Sequence, residues 1–260
     1  MFRLIKWYLD LVTDEGAAVI LYAASLEWAR LQRRYASVFL SRPDPAAPPR
    51  EAATWSDVVF PEEQGNILRF RHSVLGVKGE WHREAAPIEE RLLHDDTGSL
   101  HWSCRQPNAS VHLDLGGEAL SGRGYVECLE MTCPPWALPF RSLRWGRFTS
   151  PAESIVWIHW SGGSPRQWVR RNGVAEPGAV VEDSGVTCLS GGRRLTLLPG
   201  RALCDRRALQ VVSRGLPAMD WLLVGPIRHL REIKRLDRAV LCHGELPVSR
   251  GWVIHEVVTW

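Results

Sequence analysis

The chain has 260 residues, 45% of them hydrophobic, and a net charge of +3, enough apolar material for one large core or two modest ones. All but Lys6, Lys78 and Lys234 of its 32 basic residues are Arg, yet no basic run forms a nucleic-acid footprint. No apolar stretch reaches the ~20 residues of a membrane span, and charge interrupts Met1-Phe2-Arg3-Leu4-Ile5-Lys6 before a signal-peptide core forms. The six cysteines lack zinc-site spacing and read as free thiols in a reducing, cytoplasmic setting. Peripheral membrane contact and the oligomeric state are left open.

In chain order, Trp7–Val12 and Ala18–Ala23 are β-rich runs flanking a Thr13-Asp14-Glu15-Gly16 turn, which predicts a hairpin against a competing helix over 17–35. Ser41 to Ala53, with Pro43, Pro45, Pro48 and Pro49, reads as an extended surface loop. Short strands follow near 68–72, 74–84, 88–94, 100–105 and 111–115, with turns at Asp95–Gly98 and Gly116-Gly117. Leu100, Trp102 and Cys104 alternate with His101, Ser103 and Arg105, as a half-buried antiparallel strand does.

Gly122–Phe148 is the densest stretch chemically. Gly122 and Gly124 read as bracketing a turn. Tyr125–Met131 then reads as a strand that places Tyr125, Glu127, Leu129 and Met131 on one face and Glu130 on the other. Pro134-Pro135 ends that strand, since proline cannot donate to a ladder. The chain returns through Leu143–Phe148 and pauses at Thr149–Ser154, a boundary that divides it into domains of residues 1–150 and 151–260. In the second half, strands are expected at 155–160, 167–171, 178–182, 186–189, 193–198, 208–212 and 251–258. Asn172-Gly173 is a strong hairpin signal, and a short helix is expected at 217–224. The whole is all-β with few short helices: two barrels or sandwiches of short antiparallel strands.

A carboxylic acid in a dry, aromatic pocket can serve as a general acid near neutrality, which makes Glu127 the catalytic candidate. The alternatives are a solvated strand face, or a carboxylate paired with Arg144 or Arg147. Trp136, Trp145, Trp157 and Trp160 can pack a core or stack around an apolar, cation-forming ligand. Trp157 and Trp160 cannot share one face, and His159 faces away from Trp160. Near the C-terminus, Trp252, Ile254 and Glu256 share a face, so Glu256 reads as a buried acid and His255 as exposed. No HxH or HExxH pair, GxSxG, P-loop or strand–GxGxxG–helix unit is present, so no metal and no cofactor is expected.

The pieces Gly122-x-Gly124-Tyr125-x-Glu127, Pro135-Trp136 and Leu143-Arg144-Trp145-Gly146-Arg147-Phe148 resemble the hydroxyneurosporene synthase (carotenoid 1,2-hydratase) and AttH-like superfamily. That group also takes in tocopherol cyclases and fungal Diels–Alderases. Trp7-Tyr8-x-Asp10 and Gly251-Trp252-x-x-His255-Glu256 support the likeness. The resemblance implies two lipocalin-like β domains packed together, a pocket where they meet, and a hydrophobic isoprenoid or polyene transformed without a cofactor. On that reading the protein is a lyase, hydratase or cyclase. Glu127 donates the proton, and Tyr125, Trp136, Trp145, Trp157, His159, Trp252 and Glu256 line the pocket. Arg144 or Arg147 orients a polar end. The alternatives are a non-catalytic carrier of a lipophilic molecule and a scaffold with a filled interior.

Overall fold

The computed structural model describes residues 2–207 and 230–259. The strand expected at 208–212 and the helix expected at 217–224 lie outside them. Among the described residues the regular elements are antiparallel strands, joined by turns and loops, apart from a single 3-10 turn at Pro135–Ala137. It divides into two compact units, Met1–Pro134 and Pro135–Trp260.

The first unit contains β1 (Phe2–Val12), β2 (Ala18–Trp28), β3 (Leu31–Ser41), β4 (Arg50–Thr54) and β5 (Glu62–Gln64). It continues with β6 (Ile67–His72), β7 (Val77–Arg83), β8 (Ile88–Asp95), β9 (Gly98–Leu115) and β10 (Glu118–Met131). They form one sheet in the order β4-β3-β2-β1-β10-β9-β7-β6-β5, with β8 paired to the first half of β9. Val38 and Leu40 of β3 share a core with Leu68 and Phe70 of β6, strands near opposite ends of that order. The sheet must therefore curl around its core, which also takes Leu9, Leu11, Leu21, Trp81 and Val126. One face of each strand supplies these side chains.

The second unit holds β11 (Ser142–Thr149), β12 (Ser154–Ser161), β13 (Arg166–Arg171), β14 (Val174–Ala175) and β15 (Val180–Glu182). Then come β16 (Gly185–Leu189), β17 (Arg193–Arg207), β18 (Arg231–His243) and β19 (Leu246–Thr259). Its sheet runs β14-β13-β12-β11-β19-β18-β17-β16-β15. Val169 near one edge and Val181 and Val186 near the other meet in one core with Phe148, Trp157 and Val253, so this sheet curls too. Because β11 pairs with β12 and β19, the chain has entered the second unit well before residue 150. The Thr149–Ser154 segment is a hairpin turn, closed by Ser150 N–H donating to the Glu153 carbonyl at 2.9 Å.

Other expectations need correction. Arg50–Ala53, read as loop, forms edge strand β4 against β3. The two strands expected at 100–105 and 111–115 are one strand, β9. Pro107 is tolerated because β9 changes partner there: β8 pairs as far as Cys104 and β7 begins at Ala109. Gly122 and Gly124 lie inside β10 rather than at a turn. A Cβ on Gly124 would stand 2.1 Å from the Asp10 carbonyl oxygen, so glycine is required by close backbone approach.

Candidate functional site

Register builds the site. In the first sheet Tyr22, Tyr8, Glu127 and Cys104 lie opposite one another on β2, β1, β10 and β9. The row on one side is Ile20, Asp10 and Tyr125; the row on the other is Lys6, Leu129 and Trp102. Paired residues project to the same face, and rows two residues apart share it. These side chains therefore gather on the face turned away from the unit's apolar core. Tyr125, Glu127, Leu129 and Met131 share that face, as read from the sequence, and Glu130 is exposed on the other.

Glu127 is held by two donors on one oxygen. Trp102 Nε1–H donates to Oε2 at 2.5 Å and the Tyr125 hydroxyl donates to the same atom at 2.7 Å. Trp102 and Tyr125 are both fully buried, while Glu127 is half-buried. Tyr8 stands edge-on to Tyr22 and Tyr125, with ring centroids 5.4 and 6.1 Å away. Lys6 Nζ lies 4.9 Å from the centre of the Tyr22 ring. Burial, followed by the nearby Cys104 and Glu127, pushes the Tyr125 hydroxyl well above its ordinary ionisation range, so it remains a donor. Burial likewise pushes the Cys104 thiol well up and the Cys128 thiol up to about 12, which keeps both neutral.

The remaining sequence candidates belong to the second unit and divide between two faces of its sheet. Trp145, Arg147, Trp252 and Glu256 share one face. There Arg147 is fully buried and donates from Nη1 to Thr149 Oγ1 at 3.0 Å and to the Trp252 carbonyl at 3.3 Å. Glu256 lies 2.6 Å from the buried Lys234 ammonium, so it is an ion-paired acid. Arg238 stacks over the Trp252 ring, 4.3 Å from its centre. Arg144, Trp157 and His159 take the opposite face, toward the apolar core. Trp157 belongs to that core and covers Gly146, where a Cβ would approach the indole to 2.2 Å. Arg144 Nε donates to Asp183 Oδ1 at 2.8 Å, so Asp183, not Glu127, is its partner. Trp136 is half-buried in the Pro135–Ala137 turn.

His255 corrects the sequence reading. It is not the exposed neighbour of a buried Glu256; it turns to the core side, with Nε2 only 2.7 Å from Asp237 Oδ2. Sequence reasoning also missed the role of Trp102. Its alternation with Leu100 and Cys104 fixes its face, but nothing local to it encodes the strand that pairs with it.

Among the described residues no helix is long and apolar enough to cross a membrane, and no group of three or more His, Cys, Asp or Glu is placed to hold a metal. The sequence matches no protein-family profile and no curated protein. The fold does have relatives among solved structures. An AttH-type protein from Nitrosomonas europaea aligns with a TM-score of 0.54 at 12% identity, over 99% of this chain and 92% of its own. Kievitone hydratase from Nectria haematococca aligns at 0.56 and 11% identity, over 98% and 88%. CghA aligns at 0.58 and 10% identity, over 99% and 88%. The chain thus has the lipocalin-like, all-β fold of the AttH-like proteins that the short motifs implied.

Proposed function

We propose that this protein is a cofactor-independent hydratase, lyase or cyclase acting on a hydrophobic, isoprenoid- or polyene-like small molecule, with Glu127 as its general acid. The observation that carries this reading is the convergence of Trp102 Nε1–H and the Tyr125 hydroxyl on Glu127 Oε2. With Oε2 accepting both, a proton on this carboxyl resides on Oε1. As that proton leaves for an alkene carbon, the two donors stabilise the carboxylate that remains. The π electrons form the new C–H bond, and a cation develops on the more substituted carbon. The faces of Tyr8, Tyr22 and Tyr125 favour that charge. In a hydration, water adds to the cation and its surplus proton returns to Glu127. In a cyclisation, a second double bond attacks and a proton is then lost to the same carboxylate.

Kievitone hydratase is by name a hydratase, and CghA has also been solved with the small molecule Sch210972, which supports small-molecule chemistry on this fold. Trp145 and Trp252 are retained as ligand-contacting rings of the second unit. Trp157 and Arg144 are not, being engaged by the core and by Asp183. The six thiols, free throughout, fit a reducing cytoplasmic setting.

The experiment pairs a binding readout with a turnover readout. Mass spectrometry of molecules that copurify with the protein, backed by a panel of acyclic isoprenoids and polyenes, supplies the substrate. Glu127→Gln keeps one carboxamide oxygen to accept from Trp102 and Tyr125 and should bind that substrate while losing turnover. Turnover undiminished in this variant ends the general-acid reading. Binding without turnover in the wild type leaves a carrier.

A further inference from the structure

The two ends of the first sheet are tied together by a short segment. The strand order begins with β4 and ends with β5, which follow one another in the chain and are joined by residues 55–61. That segment is a strap between the two edges. Among the described residues it makes no backbone–backbone hydrogen bond. Packing holds it: Val58 is buried in the core with Phe70, Leu75 and Val77, and Phe60 lies against the same cluster. Trp55 meets the Tyr35 ring with centroids 4.9 Å apart, and the Arg34 guanidinium stands 5.9 Å from the centre of the Phe60 ring. Asp57 takes a left-handed backbone, φ 54°, just before Val58.

His72 is buried beside this strap. It ends β6 on the face that sends Leu68 and Phe70 into the core, and it is 2% exposed. Neither ring nitrogen has a hydrogen-bond partner among the described residues. On β7 and β9 the residues in its row are apolar, Val77 and then Leu115. Glu118, next in that row on β10, is bound by Arg42 Nη2 at 2.6 Å. Arg71 and Lys78 pair across the other face. Asp57 is the only charged residue in 55–61, and its field reaches the imidazole. A neutral ring is tolerated in this setting. A protonated one has two N–H donors and no acceptor in the core, so charging it drives the ring toward solvent, where the exposed Asp57 stands.

We propose that residues 55–61 are an acid-released strap: protonation of His72 detaches the segment and bares Val58 and Phe60 while the strands on either side stay paired. Burial lowers the proton affinity of His72 while the strap is closed, and the Asp57 charge offsets part of that effect. With the strap open the ring regains its ordinary value of 6.5. Each pH unit below about 6.5 therefore multiplies the open-to-closed ratio by about ten, until the closed form takes up the proton too.

The test is fluorine NMR of the full chain labelled with 4-fluorophenylalanine, whose 6 Phe resonances can be assigned by single substitutions such as Phe60→Leu. Between pH 8 and pH 5 the wild-type Phe60 resonance should move toward its solvent-exposed position. Phe39 on β3 and Phe148 in the second unit should hold theirs. His72→Leu should keep Phe60 in place over the same range. Asp57→Asn leaves the core untouched and suits the same left-handed backbone. It should carry Phe60 further at pH 5, because the charge that steadies the closed, protonated form is gone. A wild-type Phe60 resonance that stays fixed overturns the proposal, as does equal movement in folded His72→Leu. So does an Asp57→Asn protein that moves no further than the wild type. Phe39 moving together with Phe60 also overturns it, since the first unit then unfolds as a whole and no strap is released.

Discussion

Trp102 and Tyr125 each have one side-chain donor, and both aim it at Glu127 Oε2. A hydrogen bond to a charged group contributes about 1.5–3 kcal/mol. If both bonds strengthen as the carboxylate forms, Tyr125→Phe and Trp102→Phe should each lower kcat about tenfold or more with KM little changed. Because the two share one acceptor, the double variant should lose less than the product of the single losses, a coupling that a double-mutant cycle measures. His72 is the counterexample, a buried polar residue with no such partners. It is 2% exposed, and among the described residues neither ring nitrogen has a hydrogen-bond partner. Burial lowers its pKa, so the unfolded chain takes up the proton first as pH falls. The fold's stability therefore declines from about pH 6.5 downward, until the folded-state histidine is protonated as well. His72→Leu should remove its share of that decline. Its advantage over the wild type in urea unfolding should be larger at pH 5 than at pH 8.

At the scale of elements, β10 and its neighbours explain why two glycines stand where a strand wants side chains. Asp10 accepts the Trp81 indole N–H through its carbonyl at 2.8 Å, and a Cβ on Gly124 would intrude on both groups. Gly124→Ala should destabilise the first unit by about 3 kcal/mol, because the nearest obstacle is backbone and cannot swing aside. Chemical denaturation checks this. The same strand shows what the sequence makes legible. Its alternation put Tyr125 and Glu127 on one face, and Asn172-Gly173 marked a real hairpin between β13 and β14. Less was legible where charge interrupts the pattern. β3 begins Leu31-Gln32-Arg33-Arg34, and β18 carries Lys234, Arg235, Asp237 and Arg238. Lys234 and Asp237 are nonetheless buried, because Glu256 and His255 on β19 complete them. Without β18 there was no partner for His255, and without the β9–β10 register there was none for Glu127. Long-range pairing, absent from any local window, decides both placements.

For the whole molecule, each unit closes a curled sheet over a core of its own, and the ionisable groups distribute unevenly between them. In the second unit Asp237 and Glu176 are buried carboxylates whose hydrogen bonds overcome the opposing effect of burial and hold them below their ordinary values of 3.8 and 4.5. Their folded pKa values are depressed, so their stabilisation is complete above those ordinary values and is lost as pH falls through the folded ones. Acid should thus act in two stages. The first, below about pH 6.5, belongs to His72 in the first unit and His159 in the second, and the second, below about pH 4, belongs to Asp237 and Glu176. Stability measured across pH should show both, with Asp237→Asn diminishing only the lower one. The role of Glu127 is tested most directly by turnover in deuterated water. The wild-type product should carry deuterium at the newly formed C–H position, and Glu127→Gln, folded and still binding substrate, should form no such product. Deuterated product formed by Glu127→Gln at the wild-type rate would contradict the assignment.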